Sequence, residues 1–362
     1  MKELHLKGTP FEIGLQHGIA GKEEVHYSLS SYERMFKGIV GLSWEEATEM
    51  AKGHLEAIES YQVDYIEEMQ GIAKGAGVKF EDILVLNARS EIALTKNATD
   101  GCTSLAIMKP LGANTYLGQN WDWRPSQINS LLLTKIEQKY KPDICMVTEG
   151  GIIGKIGFNS LGLGVCLNAI RANVKSNAVP IHLGLRSVLD SRTLNEALSK
   201  VTNKQMASSA NFLIGYDNGG SGEAVNIEVS PEGEDYRTTK DRALYHTNHL
   251  CSPKLIERIG KDNLINKEHS FNRIDRMKEL VKHAEEKNEV VNQDKIKDWF
   301  TDHSGFPRAI CRHEEQDQSD YEQTRTVFSV IMNLEKGSMF FIKGNPCTPI
   351  NYKTVALEQE EE

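Results

Sequence analysis

The sequence predicts an α+β protein in which antiparallel sheets are covered by helices. The first hundred residues carry helical periodicity and helix caps. From residue 102 the pattern changes to short apolar runs joined by turn residues. Amphipathic helices recur between those runs, the arrangement of sheets with helices packed on them. Because the runs come in hairpins, the sheets are expected to be antiparallel.

Along the chain, "GLSWEEATEMAKGHLEAIESY" places Ser43 and Glu46 at capping-box spacing, and Ala47, Met50, Ala51, Leu55 and Ile58 recur at helical period. "VDYIEEMQGIAKGAG" continues similarly and stops in glycines, and "FEDILVLNARSEIAL" predicts a third helix. At Cys102 the period shortens. "CTSLAIM" and "TYLGQNWDW" read as strands about the turn residues of "KPLGAN". "DICMVTEG", "GKIGF" and "LGLGVCLNAI" follow, the last two about a tight turn at "NS". Helices fit "HLGLRSVLDS" and "TLNEALSKV", strands fit "ANFLIGY", "GEAVNIEVS" and "RALYHTNHL", and "NRIDRMKELVKHAEE" is a helix. "TRTVFSVIMNL" and "GSMFFIKG" make a closing hairpin around "EKGS". There is no internal repeat and no low-complexity linker, so residues 1–101 and 102–362 are expected to form one unit with a seam between them.

The composition, 39% hydrophobic and 26% charged with a net charge of -9, is that of an ordinary globular chain. It lacks the basic excess that nucleic-acid binding needs. Residues 1–101 hold 10 Lys/Arg and 17 Asp/Glu, a net of -7, while residues 102–362 hold 32 and 34, a net of -2. No stretch approaches the roughly 18 apolar residues of a membrane helix, and the start lacks a signal-peptide core. A cytoplasmic protein with reduced thiols is therefore expected. There the glycosylation sequon at Asn97–Thr99 carries no meaning, and "LEQEEE" is a solvated tail. The six cysteines, Cys102, Cys145, Cys166, Cys251, Cys311 and Cys347, show no zinc-ribbon spacing, and no metal site is expected.

Candidate chemistry is sparse. "EGGIIGKIGF" approximates a phosphate loop, but Glu149 occupies its first glycine position, and Ile156 stands where Ser or Thr must follow Lys155. "GLGVCL" fails the dinucleotide pattern at its last position. These glycines read as strand bends and turns. His246 and His249 have metal-like spacing, but on a strand they face opposite ways, with Asn248 on the side of His246. A papain-like Cys–His pair could draw on eleven histidines, but no local sequence supports one. Cys102 remains. Gly101 before it offers a carbonyl unobstructed by a side chain and a backbone free to bend. The strand would hold Cys102 as an N-terminus after a chain break, and Ser104 lies on the same face. A buried structural thiol explains the same residues, and spacing does not decide between the two.

Eight stretches carry a resemblance: "GTPFEIGLQHG" (8–18), "LNARSE" (86–91), "DGCTS" (100–104), "GQNWDW" (118–123), "TEGGIIGKIGFNSLGLGV" (148–165), "YHTNH" (245–249), "NRIDRM" (272–277) and "ICR" (310–312). Their order and span resemble the acyl-coenzyme A:6-aminopenicillanic-acid acyltransferase family (isopenicillin N acyltransferase-like) of N-terminal-nucleophile hydrolases. The resemblance implies a four-layer αββα sandwich of two antiparallel sheets with a helical N-terminal segment. It implies a precursor that cuts itself between Gly101 and Cys102, leaving associated pieces of 101 and 261 residues.

It further implies that Cys102 is the nucleophile, working through a thioester, with its own freed α-amino group as base. By the same resemblance Asp122 orients amine and thiol, Asn248 donates to the oxyanion, and Arg312 holds negative charge near the sulfur. Thr103 and Ser104 are weaker candidates in processing. Arg124 is a candidate substrate contact, against a plain surface charge. The implied partner is a small-molecule acyl amide or acyl thioester, with no nucleic acid, no membrane and no cofactor, acyl-coenzyme A being the one co-substrate in view. Amide hydrolysis is expected ahead of transfer to a penicillin-like amine. The chain lacks the peroxisomal address of the fungal members, and a non-catalytic binding protein on the same scaffold is the competing reading.

Overall fold

A computed structural model describes residues 1–93, 101–219, 222–238, 242–264, 268–319 and 322–357. The sequon Asn97–Thr99, Asp100 of the "DGCTS" stretch and the acidic residues 358–362 lie outside the described residues. The strands, in chain order, are β1 (Lys2–Gly8), β2 (Gly101–Ile107), β3 (Tyr116–Trp123), β4 (Leu131–Gln138), β5 (Ile144–Glu149), β6 (Ile156–Asn159), β7 (Leu163–Ala169), β8 (Ala210–Tyr216), β9 (Glu223–Ser230), β10 (Gly233–Thr238), β11 (Ala243–His246), β12 (Arg325–Asn333), β13 (Ser338–Lys343) and β14 (Asn351–Ala356). They form an eight-stranded sheet, β1-β4-β5-β6-β7-β8-β9-β10, and a six-stranded sheet, β11-β2-β3-β12-β13-β14.

The antiparallel expectation holds with one exception. β1 lies parallel to β4, with Lys2 opposite Leu132. This strand corrects the all-helical reading of the first hundred residues. Leu4 and Leu6 are buried at period two, but β1 joins the sheet through a partner far along the chain, so no hairpin announces it. The helix expected across 41–61 divides into Trp44–Lys52 and Leu55–Tyr61. Its capping box is as read, with the Ser43 N–H donating to Glu46 Oε2 at 2.8 Å and the Glu46 N–H to Ser43 Oγ at 3.2 Å. The closing hairpin gains a third strand, β14, antiparallel to β13.

The sheets pack face to face, β2 and β3 lying against β7 and β8. One apolar cluster fills this layer and continues into the N-terminal helices. It takes in Ile13, Met69 and Leu86 together with Cys102, Ala106, Leu117, Trp121, Val165 and Leu213. Each Val, Leu, Ile or Met among them contributes about 1.5–3 kcal/mol on burial, so the segments before and after residue 101 share a core neither can complete alone. The other face of the smaller sheet, with Leu105, Ile107 and Ile331, is covered by helices Glu268–Glu286 and Gln293–Phe300. Helix Ile181–Leu189 packs on β6 and β7. Among the N-terminal helices, Pro10–Ala20 crosses Val63–Ala76 at backbone contact. A Cβ on Gly14 would sit 1.9 Å from the Glu68 carbonyl oxygen and one on Gly18 2.3 Å from that of Ile72, which accounts for the two helical glycines of "GTPFEIGLQHG".

Candidate active site

Period two along β2 sorts the residues around Cys102 onto two faces. Cys102 and Ala106 join the core between the sheets, while Leu105 and Ile107 join the core under the helices. Cys102 stands opposite Trp121 on β3 and is buried. Ser104, on the Cys102 face, donates from Oγ to Asn168 Oδ1 at 2.6 Å. Thr103, on the other face, accepts Arg273 Nη1 at 2.9 Å.

The Cys102 backbone N–H donates to Asn248 Oδ1 at 2.8 Å. Asn248 is not on a strand, which corrects the alternation read for "HTNH": β11 ends at His246, and the chain turns. What holds that turn is Glu228, which meets His246 Nε2 at 2.7 Å and accepts the backbone N–H groups of Cys251 and Ser252. Burial pulls the His246 pKa down, but hydrogen bonds involving Cys251 and Glu228 outweigh it and raise the imidazole to about 10. Burial would likewise raise Glu228, yet its bonds to His246 and the turn amides leave it below the ordinary value. The first turn of helix Glu268–Glu286 completes the frame. The Asn248 N–H donates to Ser270 Oγ at 2.8 Å, and Arg273 Nη2 donates to Asn248 Oδ1 at 2.7 Å. Arg273 Nη1 also donates to the Cys102 carbonyl oxygen. In the uncut chain Asn248 therefore holds the Cys102 amide through its oxygen, while its Nδ2 donates to the Ala169 carbonyl at 3.0 Å.

The Gly101 side is lined by the other two carried-over residues. A Cβ built on Gly101 would lie 2.6 Å from Asp122 Oδ2 and 3.2 Å from Arg312 Nη1, so any larger residue must displace one of them. Thr326 donates to Asp122 Oδ1 at 2.7 Å. Arg312 is fixed through its backbone: its N–H donates to Thr326 Oγ1 at 2.9 Å, and its carbonyl accepts Asn345 Nδ2 at 2.7 Å. Arg312 is 1% exposed, and its Nε and Nη1 have no hydrogen-bond partner among the described residues. Burial lowers the Arg312 pKa and the Asp122 charge opposes that, leaving a cation at any working pH. Asp122 and Arg312 thus flank Gly101, one residue before the thiol.

Beside Trp121 lies a buried ionic group that sequence reasoning passed over. Glu149 Oε2 accepts Arg89 Nη2 at 2.9 Å and Lys155 Nζ at 2.6 Å, and Glu149 Oε1 accepts the Tyr32 hydroxyl at 2.6 Å. Lys155 Nζ stands 3.5 Å over the Trp121 ring. Burial alone would raise the Glu149 pKa, but Arg89 and Lys155 hold it at about 2. Burial lowers Lys155 to about 8, with Glu149 raising and Arg89 lowering it, and Cys102 lies within the reach of its charge. Glu149 is the residue that spoiled the phosphate-loop reading, and Lys155 is the lysine of that same run. A lysine and a glutamate inside an apolar, glycine-rich run were themselves the signal of a buried charge pair. Arg273 lay in the quoted "NRIDRM" stretch without a role attached. Arg124 is buried rather than a surface charge: Nη1 donates to the Gln323 carbonyl at 3.0 Å and Thr324 Oγ1 at 2.9 Å, securing that loop.

Two facing, mainly antiparallel sheets between helical layers are the N-terminal-nucleophile hydrolase fold. A conjugated bile acid hydrolase from Clostridium perfringens, solved as two single-residue variants, has this fold. Its chains align with TM-scores of 0.51 and 0.50 at 13% identity, each over 72% of this chain and over 93% and 94% of their own. Within that fold the chain belongs to the acyl-coenzyme A:6-aminopenicillanic acid acyl-transferase family, whose model matches residues 110–347. It is 32% identical over 338 residues to the acyl-coenzyme A:6-aminopenicillanic-acid-acyltransferase 40 kDa form of Emericella nidulans, an alignment covering 92% of this chain and 90% of that protein. No helix among the described residues is long and apolar enough to cross a membrane.

Proposed function

We propose that this chain is a self-processing enzyme that cleaves or transfers acyl groups at small amide bonds through a thioester on Cys102. In the first step the Cys102 sulfur attacks the Gly101 carbonyl carbon. The C–N bond breaks, the nitrogen keeps the bonding electrons and takes the thiol proton, and a Gly101 thioester forms. Water then cleaves the thioester to give a Gly101 carboxylate, the Cys102 thiol and a free α-amino group. That amine, with a reference pKa near 7.7–8.0, serves as base for later acyl amides or acyl thioesters, with water or an amine as acceptor.

The observation that carries this reading is the grip on the two residues of the scissile bond. The Cys102 N–H is held by Asn248 Oδ1, while buried Arg312 donors stand at Gly101, where negative charge develops. Asp122 is suited to orienting the nitrogen side of the bond, Arg273 positions Asn248 and Cys102, and Lys155 favours the thiolate. A cleft whose lining includes Met50, Ile92, Ile170 and Ala172, together with the polar His54, Glu91 and Lys175, begins one residue past the Ala169 carbonyl that Asn248 holds. It offers an apolar wall for an acyl chain.

Denaturing electrophoresis with N-terminal sequencing tests the reading. The purified protein is expected as two chains, the larger starting at Cys102, and Cys102→Ala as one inactive chain. Cleavage of Cys102→Ala at the same bond would sink the mechanism. A single persistent wild-type chain, inert towards N-acyl amides and acyl thioesters with and without an amine, would return the binding-protein reading.

A further inference from the structure

We infer that His303, Cys311, His313 and Cys347 form a tetrahedral zinc site that staples the loop carrying Arg312. Four soft or borderline ligand atoms converge here from segments separated in sequence. Cys311 Sγ lies 3.5 Å from Cys347 Sγ. His313 Nε2 is 3.6 Å from the first sulfur and 3.5 Å from the second, and His303 Nε2 is 3.0 Å from His313 Nε2. All four ligand atoms lie within 4.8 Å of one another. With Zn–S of about 2.3 Å and Zn–N of about 2.0–2.1 Å, a tetrahedron places S···S at about 3.8 Å, S···N at about 3.6 Å and N···N at about 3.4 Å. The observed S···S and S···N separations of 3.5–3.6 Å lie within about 0.3 Å of those values, and the N···N separation of 3.0 Å is the shortest, as a tetrahedron requires. Both imidazoles present the same nitrogen, Nε2, to the common point.

The surroundings fit a closed structural site. Asn345 Nδ2 donates to Cys311 Sγ at 3.6 Å, the outer hydrogen bond expected of a metal thiolate. The Phe306 ring packs 5.3 Å from that of His313 and shields it. Cys311 is buried, His313 and Cys347 are half-buried and His303 is exposed, which leaves a path for the ion from solvent. Two thiolates neutralise a divalent ion, so binding adds no net charge beside buried Arg312. A donor set of two sulfurs and two nitrogens selects zinc over magnesium or calcium. On this inference a search by spacing passes over the site because the ligands are spread from 303 to 347, with only Cys311 and His313 close in sequence.

The site has a consequence for Arg312 that rests on the proposed function. Arg312 lies between two ligands, and Asn345 bonds both Cys311 Sγ and the Arg312 carbonyl, so the ion would fix the segment presenting the guanidinium to Gly101.

The test uses the full-length Cys102→Ala chain, which needs neither cleavage nor catalysis, so failure of the nucleophile assignment leaves its outcome readable. After equilibration with zinc and dialysis, elemental analysis should give about one zinc per chain. Cobalt substitution should give the intense visible bands of four-coordinate thiolate ligation. Cys347→Ser and His303→Ala, both at accessible positions, should each lower retained metal at least tenfold, with Cys145→Ala unchanged. Chelation should speed proteolytic cutting between Asp302 and Glu315. The inference is overturned if the wild-type donor set retains no zinc, if cobalt gives only weak octahedral bands, or if Cys311 and Cys347 are recovered as a disulfide in metal-free protein.

Discussion

Replacing Gly101 by alanine tests the site with a single methyl group. The added carbon would lie 2.6 Å from Asp122 Oδ2, 3.0 Å from Asp122 Cβ and 3.2 Å from Arg312 Nη1. Reaching even a 3.0 Å contact requires a relative shift of at least 3.0 − 2.6 = 0.4 Å at Asp122. Asp122 is anchored by Thr326 at 2.7 Å and Arg312 by its backbone clamps, so the strain falls on the groups flanking the scissile bond. Overpacking of this kind costs about 1–3 kcal/mol of stability. A misplacement of about 1 Å costs about a hundredfold in rate, so a shift near half that should slow the proposed self-cleavage by about tenfold. The assay is the half-time for conversion of fresh precursor on denaturing gels, with circular dichroism and a thermal melt to show that the variant folds. A folded Gly101→Ala protein that matures at the wild-type rate would refute the proposed role of Asp122 and Arg312 at the Gly101–Cys102 bond.

Other perturbations separate reaction roles from structural ones. Glu149→Gln leaves Arg89 and Lys155 buried without their carboxylate and should cost about 3–5 kcal/mol in denaturant unfolding; a loss under 1 kcal/mol would contradict the ionic group. Ser104→Ala removes only the bond to Asn168, so stability should fall by about 1 kcal/mol with processing kept within about threefold; a processing block would restore Ser104 as a participant. Arg273→Lys loses the fork that joins Cys102, Thr103 and Asn248 and should slow processing at least tenfold with little change in melting temperature; equal rates would remove its positioning role. His246 has a folded pKa near 10, above its unfolded value of 6.5, so its contribution to stability is complete below 6.5 and lost as pH rises through 10. The stability gap between wild type and His246→Asn should therefore shrink over that window, and a gap that widens with pH would contradict the charged pair with Glu228.

What could be read in advance follows from the range of each interaction. The Ser43–Glu46 cap and the strand pattern after Cys102 are local, and both stand in the structure. β1 was missed because its parallel partner lies more than a hundred residues away. The turn at Asn248 was missed for a similar reason, since Glu228 and Ser270, which end β11 there, are invisible to a period-two reading. Cys102, Asp122, Asn248 and Arg312 were named through motifs, and the structure brings them around one peptide bond. Motifs could not say which atom of Asn248 faces Cys102, nor that Arg273 and Lys155 join the group. Those facts arise from helix Glu268–Glu286 docking on β2 and from the glycine-rich loop folding back beneath Trp121.

On the proposed reading, the contacts divide according to what cleavage leaves behind. Arg273 holds the Cys102 carbonyl, which belongs to the cysteine itself and survives the cut. Asn248 Oδ1 accepts from the Cys102 nitrogen, and an α-amino group can donate there as the amide does. Cys102 also keeps its place on β2 opposite Trp121. The nucleophile is therefore preassembled on β2. Asp122 and Arg312 instead meet Gly101, the residue whose bond to Cys102 is broken. When the glycine leaves, the space it held between a carboxylate and a buried guanidinium lies beside the thiol. An incoming acyl carbon must approach the sulfur from the direction in which the Gly101 carbonyl did. Processing and turnover would then share one geometry, and that is the physical reason a single set of residues can serve both.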